Sequence, residues 1–243
     1  MKLRPRDGFE RDDVLRVVDN ILGEDVHAKR VLCIANAATG VLASGSLAVA
    51  AIGQGLAHVC GLATKHSVKQ VDRLLGNPRF AVWDYFARWV PFVIGARQRI
   101  MVALDWTEFD RDGHSTLALN LMTSHGRAIP LLWRTVRKDE LEGRRNRYED
   151  ELLERLRETV PEAVAVTVVA DRGFMDTKLM AYLRDELAFD FIIRLRSNVW
   201  VQDRRGEWRQ ASDWVGQGGR ARTLREARLT QGGPRRGDGC LRA

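Results

Sequence analysis

The sequence predicts an α/β protein, a mixed sheet whose elements run β-β-β-α-β-α-β, preceded by a small all-α domain. Three observations carry that expectation. Residues 31–64 hold no charged side chain and are interrupted by five glycines, so they read as short packed helices. From Ile100 onward the apolar period changes to that of strands. Two continuous apolar runs, at 100–104 and 164–170, each stop at an aspartate, Asp105 and Asp171. The helical domain is expected over residues 1–98 and the sheet domain over 99–243, with a disordered tail from about residue 230.

The 243 residues, 45% hydrophobic and 29% charged, suffice for a buried core and exclude disorder throughout. The formal charge of +7 favours anionic partners, nucleic acid before a membrane surface. Cys33, Cys60 and Cys240 are far apart and odd in number, so neither a disulfide framework nor a zinc site follows from them. A reducing, cytoplasmic setting is expected. Asp7, Glu10, Asp12 and Asp13 precede any apolar run, which argues against an export signal.

Within the uncharged segment, Ser44-Gly45-Ser46 reads as a turn with a capping serine that opens a second helix. Val49, Ile52, Leu56 and Val59 then recur at helical spacing. The segment is long enough for a membrane span, but its glycines and Asn36, Gln54 and His58 favour two packed helices. Ser67 is expected to cap a helix with Val68, Val71, Leu74 and Leu75 on one face. Lys69, Gln70 and Arg73 lie on the other, with Lys65 and His66 just ahead. Asn77-Pro78 stops it, and the aromatic stretch from Phe80 to Phe92 supplies a further helix and a connector.

The first strand, 100–104, is expected to end at Asp105. Leu117, Leu119 and Leu121 alternate with polar or small residues in a second strand, and Ser124-His125-Gly126-Arg127 turns the chain. Ile129, Leu131 and Trp133 alternate in a third, and Pro130, having no amide hydrogen for a ladder, assigns that strand to an edge. Tyr148, Leu152, Leu156 and Val160 mark the buried stripe of a helix whose other faces are charged. After the strand at 164–170, Arg172-Gly173 turns the chain, Leu179, Met180, Leu183 and Leu187 make a helix, and 189–195 is a fifth strand. Residues 216–243 contain seven glycines and seven arginines with no sustained period.

A right-handed crossover brings the fourth strand parallel beside the first, so Asp105 and Asp171 become neighbours at the carboxyl edge of the sheet. Two acids with no basic partner repel each other unless a hard cation bridges them, and magnesium is the natural candidate. Divalent ions held by carboxylates serve phosphodiester chemistry. A lone aspartate after a strand reads as a turn starter or helix cap; two, in the order that juxtaposes them, favour the functional reading. No phosphate-binding loop, zinc-protease or serine-hydrolase motif occurs, and the five histidines are dispersed.

Leu104-Asp105-Trp106-Thr107-Glu108-Phe109 and Val169-Ala170-Asp171-Arg172-Gly173-Phe174 resemble the first and second acidic motifs of DDE transposases of the insertion-sequence-four type. The stretch from Lys65 through Asn77 resembles the helical amino-terminal region of the same family, and the likeness extends over about residues 14–229. The resemblance implies a ribonuclease H-like domain behind a DNA-binding domain, acting as a homodimer on paired element ends and on target DNA, with Mg2+ or Mn2+. It implies Asp105 and Asp171 as catalytic metal ligands, and Lys65, His66, Lys69 and Arg73 as contacts to the end sequence. Arg194 and Arg196 would contact the strand being cut, or are a solvated charge pair at a strand terminus.

The family's third acid, a glutamate in a Tyr, Arg, Glu, Lys pattern, has no counterpart after Leu195; Glu207 and Glu226 do not fit it. From about Gln231 the sequence reads as a frame change or premature end. The chain is therefore expected to be catalytically incompetent alone, with apolar surface left open on one sheet face. The alternatives are a non-catalytic, inhibitory DNA-end-binding protein and a general nuclease of the same fold.

Overall fold

Glycine decides how the amino-terminal helices meet. The computed structural model describes residues 10–215, 223–230 and 241–242. Among them the first unit contains α1 (Arg11–Leu22), α2 (Ala28–Ser44), α3 (Val49–Cys60), α4 (Thr64–Leu75) and α5 (Val82–Ile94). A Cβ on Gly40 would lie 2.3 Å from the Ile52 carbonyl oxygen, and one on Gly53 2.5 Å from the Val68 Cα. The absence of side chains at these two positions lets α2, α3 and α4 pack backbone against backbone. Val31 and Ala35 of α2, Ile52 and Leu56 of α3, and Val71 and Leu74 of α4 are buried in this unit.

The uncharged segment is thus two helices, bent by 94° at the break between them; among the described residues no single helix is long and apolar enough to cross a membrane. Two details of the sequence reading are corrected. Gly45, in the left-handed conformation, closes α2, and α3 begins after Ala48 with no capping side chain; the Ser46 hydroxyl accepts from the Ala48 amide instead. Ser67 does not cap α4 but sits inside it, buried, its hydroxyl donating to the Ala63 carbonyl one turn back.

The division between the two units falls at Phe92/Val93, in the last turn of α5. The second unit is a five-stranded sheet of β1 (Arg99–Phe109), β2 (His114–Met122), β3 (Ala128–Arg137), β4 (Ala165–Ala170) and β5 (Asp190–Ile193). The order is β3-β2-β1-β4-β5, with β1, β2 and β3 antiparallel and β1, β4 and β5 parallel. This order, with α6 (Arg145–Thr159) between β3 and β4 and α7 (Thr177–Ala181) between β4 and β5, is the ribonuclease H-like arrangement expected from the order of elements. Pro130 lies on edge strand β3, where the register with β2 shifts beside Asn120.

The two faces of the sheet differ. On one, Val102 and Leu104 of β1, Leu117 and Leu119 of β2 and Val168 of β4 are buried, and Leu152, Leu153 and Leu156 of α6 are buried with them. On the other, Met101 and Ala103 of β1, Ala118 and Met122 of β2, and Ile192 of β5 remain partly or fully exposed; Ile192 keeps 55% of its surface.

A second, smaller sheet follows. Its strands β6 (Trp200–Gln202), β7 (Trp208–Gln210), β8 (Arg228–Thr230) and β9 (Leu241–Arg242) lie in the order β7-β6-β8-β9, and α8 (Ala211–Trp214) follows β7. Val199, Val201, Trp214 and Leu229, with Met175 and Met180, form its core, and the Trp214 indole donates to the Val201 carbonyl at 3.1 Å. The expected disordered tail and Cys240 fall largely on residues outside the described ones.

Candidate active site and nucleic-acid interface

β1 and β4 pair in parallel from Arg99↔Ala165 to Leu104↔Ala170, so Asp105 and Asp171 are the next residue on each strand beyond that last rung. Here the connections diverge: β1 leads to β2 on one side and β4 to β5 on the other, the switch in strand order at which open sheets place ligands. Asp105 does not end its strand, as the sequence suggested. β1 continues to Phe109, held by β2, with Asp105 opposite Ala118. What stops at Leu104 is the parallel partner, because β4 turns away at Asp171.

The two aspartates are held differently. Asp105 is exposed on the open face, and its carboxylate has no hydrogen bond or ion pair among the described residues. Asp171 caps the turn of residues 172–174, its Oδ1 accepting from the Gly173 amide at 2.7 Å. A Cβ on Gly173 would stand 2.8 Å from that same oxygen, so glycine leaves the carboxylate its place. Arg196 fastens the turn from the other side: Nε donates to the Arg172 carbonyl at 3.1 Å and Nη2 to the Gly173 carbonyl at 3.4 Å.

Both aspartates line one cleft of about 470 Å³, together with Glu108, Glu149 and Asp176. The last three were missed in the sequence, and all three are engaged. Glu108 accepts from Lys138 at 2.8 Å, from the Ser115 hydroxyl at 2.5 Å and from Arg145 at 2.7 Å. Led by the Lys138 bond, these donors pull its carboxyl down to about 2. Glu149 is buried on α6 and accepts from the Trp106 indole at 2.9 Å, while the Arg145 guanidinium lies 5.2 Å from the Trp106 ring centre. Burial pushes the Glu149 carboxyl above its ordinary value; the Trp106 bond opposes this, and Asp150 and Asp176 add to it. Asp176 caps α7 through the Lys178 amide at 2.9 Å and meets the Asn146 amide at 3.5 Å.

Glu149 carried a signal: it lies in the buried stripe of α6 with Leu152, Leu153 and Leu156, and a charge in an apolar stripe marks a partner or a site. Glu108 lies three residues after Asp105 on the same strand. Asp176 carried none.

The donors suit a hard divalent cation. Asp105 and the second oxygen of Asp171 are free carboxylate oxygens, and magnesium commonly takes one or two carboxylates and completes its shell with water and substrate phosphate. Among the described residues, no group of three His, Cys, Asp or Glu side chains is arranged to hold a metal.

In the first unit, Lys65, His66, Lys69 and Arg73 line a groove of about 780 Å³ along α4, and the sequence-missed Lys29 and Arg30 of α2 line it too. The helix buries Ser67, Val71 and Leu74 at spacings of four and three, which turns the basic residues outward. Arg30 is steadied by the Tyr85 hydroxyl at 3.2 Å. Arg194 follows β5 and, like Arg196, lines a second groove that adjoins the acidic cleft at Asp171.

The family model for the transposase DDE domain matches residues 102–236, more than half of the chain and both aspartates. No curated protein and no solved structure matches it.

Proposed function

The chain belongs to the DDE transposase family, and on that premise we propose that it is an insertion-sequence transposase of the insertion-sequence-four type whose acidic cleft is incomplete. In this reading Asp105 and Asp171 hold Mg2+ or Mn2+, and the protein acts as a homodimer on the terminal repeats of its element and on target DNA. The observation that supports it is the register of β1 and β4, whose last rung is followed in each segment by an aspartate at the switch point, one unpartnered and one held by a turn.

Asp105 and Asp171 would hold the divalent ion, which would supply activation of a water or 3′ hydroxyl and charge neutralisation at a phosphodiester. The chain's own residues supply position and field. Asp171 is oriented by the Gly173 amide, which leaves its Oδ2 free. Glu108 is neutralised by Lys138 and Arg145, which prevents a third full negative charge from repelling the phosphate. Lys65, His66, Lys69 and Arg73 contact the phosphates of the element end and set its register.

The second half of the proposal is that the chain alone binds ends without turning over, since neither Glu207 nor Glu226 fits the third-acid pattern. The test uses duplexes from the DNA flanking the gene, incubated with the chain and Mg2+, with Mn2+ binding followed by electron paramagnetic resonance. We expect end binding, Mn2+ binding lost in Asp105→Ala and Asp171→Ala, and no cleavage. Cleavage that survives Asp105→Ala, or Mn2+ binding that survives both substitutions, refutes the assignment.

A further inference from the structure

We infer that the arginines around Asp171 divide two tasks: Arg196 positions Asp171, while Arg172 and Arg194 bind the phosphates of a nucleic-acid strand lying in the groove beside the acidic cleft. The strand assignment rests on the reading of the acidic cleft given above; the positioning assignment does not.

The groove, about 920 Å³, shares Asp171, Gly173 and Arg196 with the cleft. Arg172 and Arg194 line it along with the polar side chains of Ser197, Asn198 and Ser212. The three arginines are equally charged but not equally free. Arg196 spends its guanidinium on the carbonyls of Arg172 and Gly173, at 3.1 and 3.4 Å. The Arg172 carbonyl belongs to the same peptide unit as the Gly173 amide that donates to Asp171 Oδ1, and the Gly173 carbonyl to the next. A planar fork bridging two successive carbonyls fixes that peptide plane, and with it the direction from which Asp171 is held. The side chains of Arg172 and Arg194 are exposed and make no hydrogen bond or ion pair among the described residues, so their donors face solvent. Two open arginines beside hydroxyl and amide side chains are the donor set that phosphate oxygens take, and a strand held there reaches Asp171 without a gap.

Full-length protein is titrated with fluorescein-labelled oligothymidylate over a salt series, and Gly173 amide exchange and Mn2+ affinity are measured on the same variants. Arg172→Ala and Arg194→Ala are each expected to flatten the dependence of log K on log salt by about 0.7, one single-strand phosphate contact. Arg196→Lys keeps the charge but cannot bridge both carbonyls. It is expected to leave the salt dependence unchanged, to speed Gly173 exchange about tenfold as a charge-assisted bond is lost, and to weaken Mn2+ about ten- to 100-fold.

Gly173 exchange and Mn2+ affinity at wild-type values in both Arg196→Lys and Arg196→Ala overturn the positioning role. A wild-type salt dependence in both Arg172→Ala and Arg194→Ala overturns the phosphate track. Failure of the catalytic reading looks different: Mn2+ affinity is then insensitive to Asp171→Ala, while Gly173 exchange still decides the role of Arg196.

Discussion

The acidic cleft at the sheet edge and the basic groove on the helical unit carry opposite charge, and they are built on opposite principles. In the cleft, Asp105 and Asp171 each follow the last matched rung of β1 and β4, and a slip of one residue in that pairing turns a side chain to the other face of the sheet. In the groove, α4 presents Lys65, Lys69 and Arg73 at four-residue steps on long, exposed side chains, and α2 adds Lys29 and Arg30. The cleft depends on where each atom is; the groove depends on how much charge is gathered. Single changes in the cleft should therefore act almost completely, and single changes in the groove should add up.

The largest effect expected is in the cleft, from a residue that carries no charge. Gly173→Ala sets a methyl group where Asp171 Oδ1 now lies, 2.8 Å away. The carboxylate is the free end of an exposed side chain, so it gives way and folding stability changes by no more than about 0.5 kcal/mol. Its orientation is lost, however, and Mn2+ affinity is expected to fall about ten- to 100-fold. Urea denaturation and Mn2+ titration of the same sample separate the two. Unchanged affinity, or a loss of stability in step with the loss of metal, would break the contrast drawn between the two sites.

The groove should respond in steps. Lys69→Ala and Arg73→Ala are each expected to lower the salt dependence of duplex binding by about 0.9, and the double variant by twice that. The affinity falls uniformly across sequences, because a phosphate contact carries no base information. Anisotropy with an element-end duplex and an unrelated duplex measures both. A single substitution that abolishes binding would mean that α4 reads base edges, and the groove would then be as positional as the cleft.

The two sites were not equally legible in the sequence. The basic stripe of α4 was, because Lys65, Lys69 and Arg73 repeat at the helical period; its partner on α2 was not, because Lys29 and Arg30 come near α4 through tertiary packing, which includes the close approaches at Gly40 and Gly53. The strand order was legible from the two apolar runs ending in Asp105 and Asp171 and from Pro130 at the edge. The length of β1 was not, since Trp106 through Phe109 follow an aspartate and are held in the strand by pairing with β2 alone. Ser67 illustrates the same limit: as a cap it is a local reading, and the helix in fact starts at Thr64, so tertiary packing overrode the propensity. The linkage of Glu108 to Lys138 joins residues far apart in sequence, and no local pattern encodes it.

Glu149 sharpens the comparison by the sign of its pH dependence, the smallest of the expected effects. Burial raises its carboxyl above the ordinary 4.5, with Asp150 and Asp176 acting in the same direction and Trp106 and Arg145 against it. Between the ordinary and the raised value the native state holds more protons than the unfolded chain, so stability falls as pH rises through that window. Glu108 works the other way and lower down: its carboxyl is held at about 2, so its contribution is complete above 4.5 and is lost as the solution is acidified toward 2. Glu149→Gln keeps an acceptor for the Trp106 indole and removes the charge. The variant is expected to be more stable than the wild type at pH 7 and to match it near pH 4, where the wild-type carboxyl is protonated in both states. Urea midpoints at the two pH values check this. If the variant is less stable at pH 7, the ionised carboxylate has a cationic partner that outweighs its burial, and the cleft is less dominated by repulsion than its row of acids implies. If it is more stable, a charge is being kept in the cleft at a cost to folding, as happens where function rather than stability selects the residue.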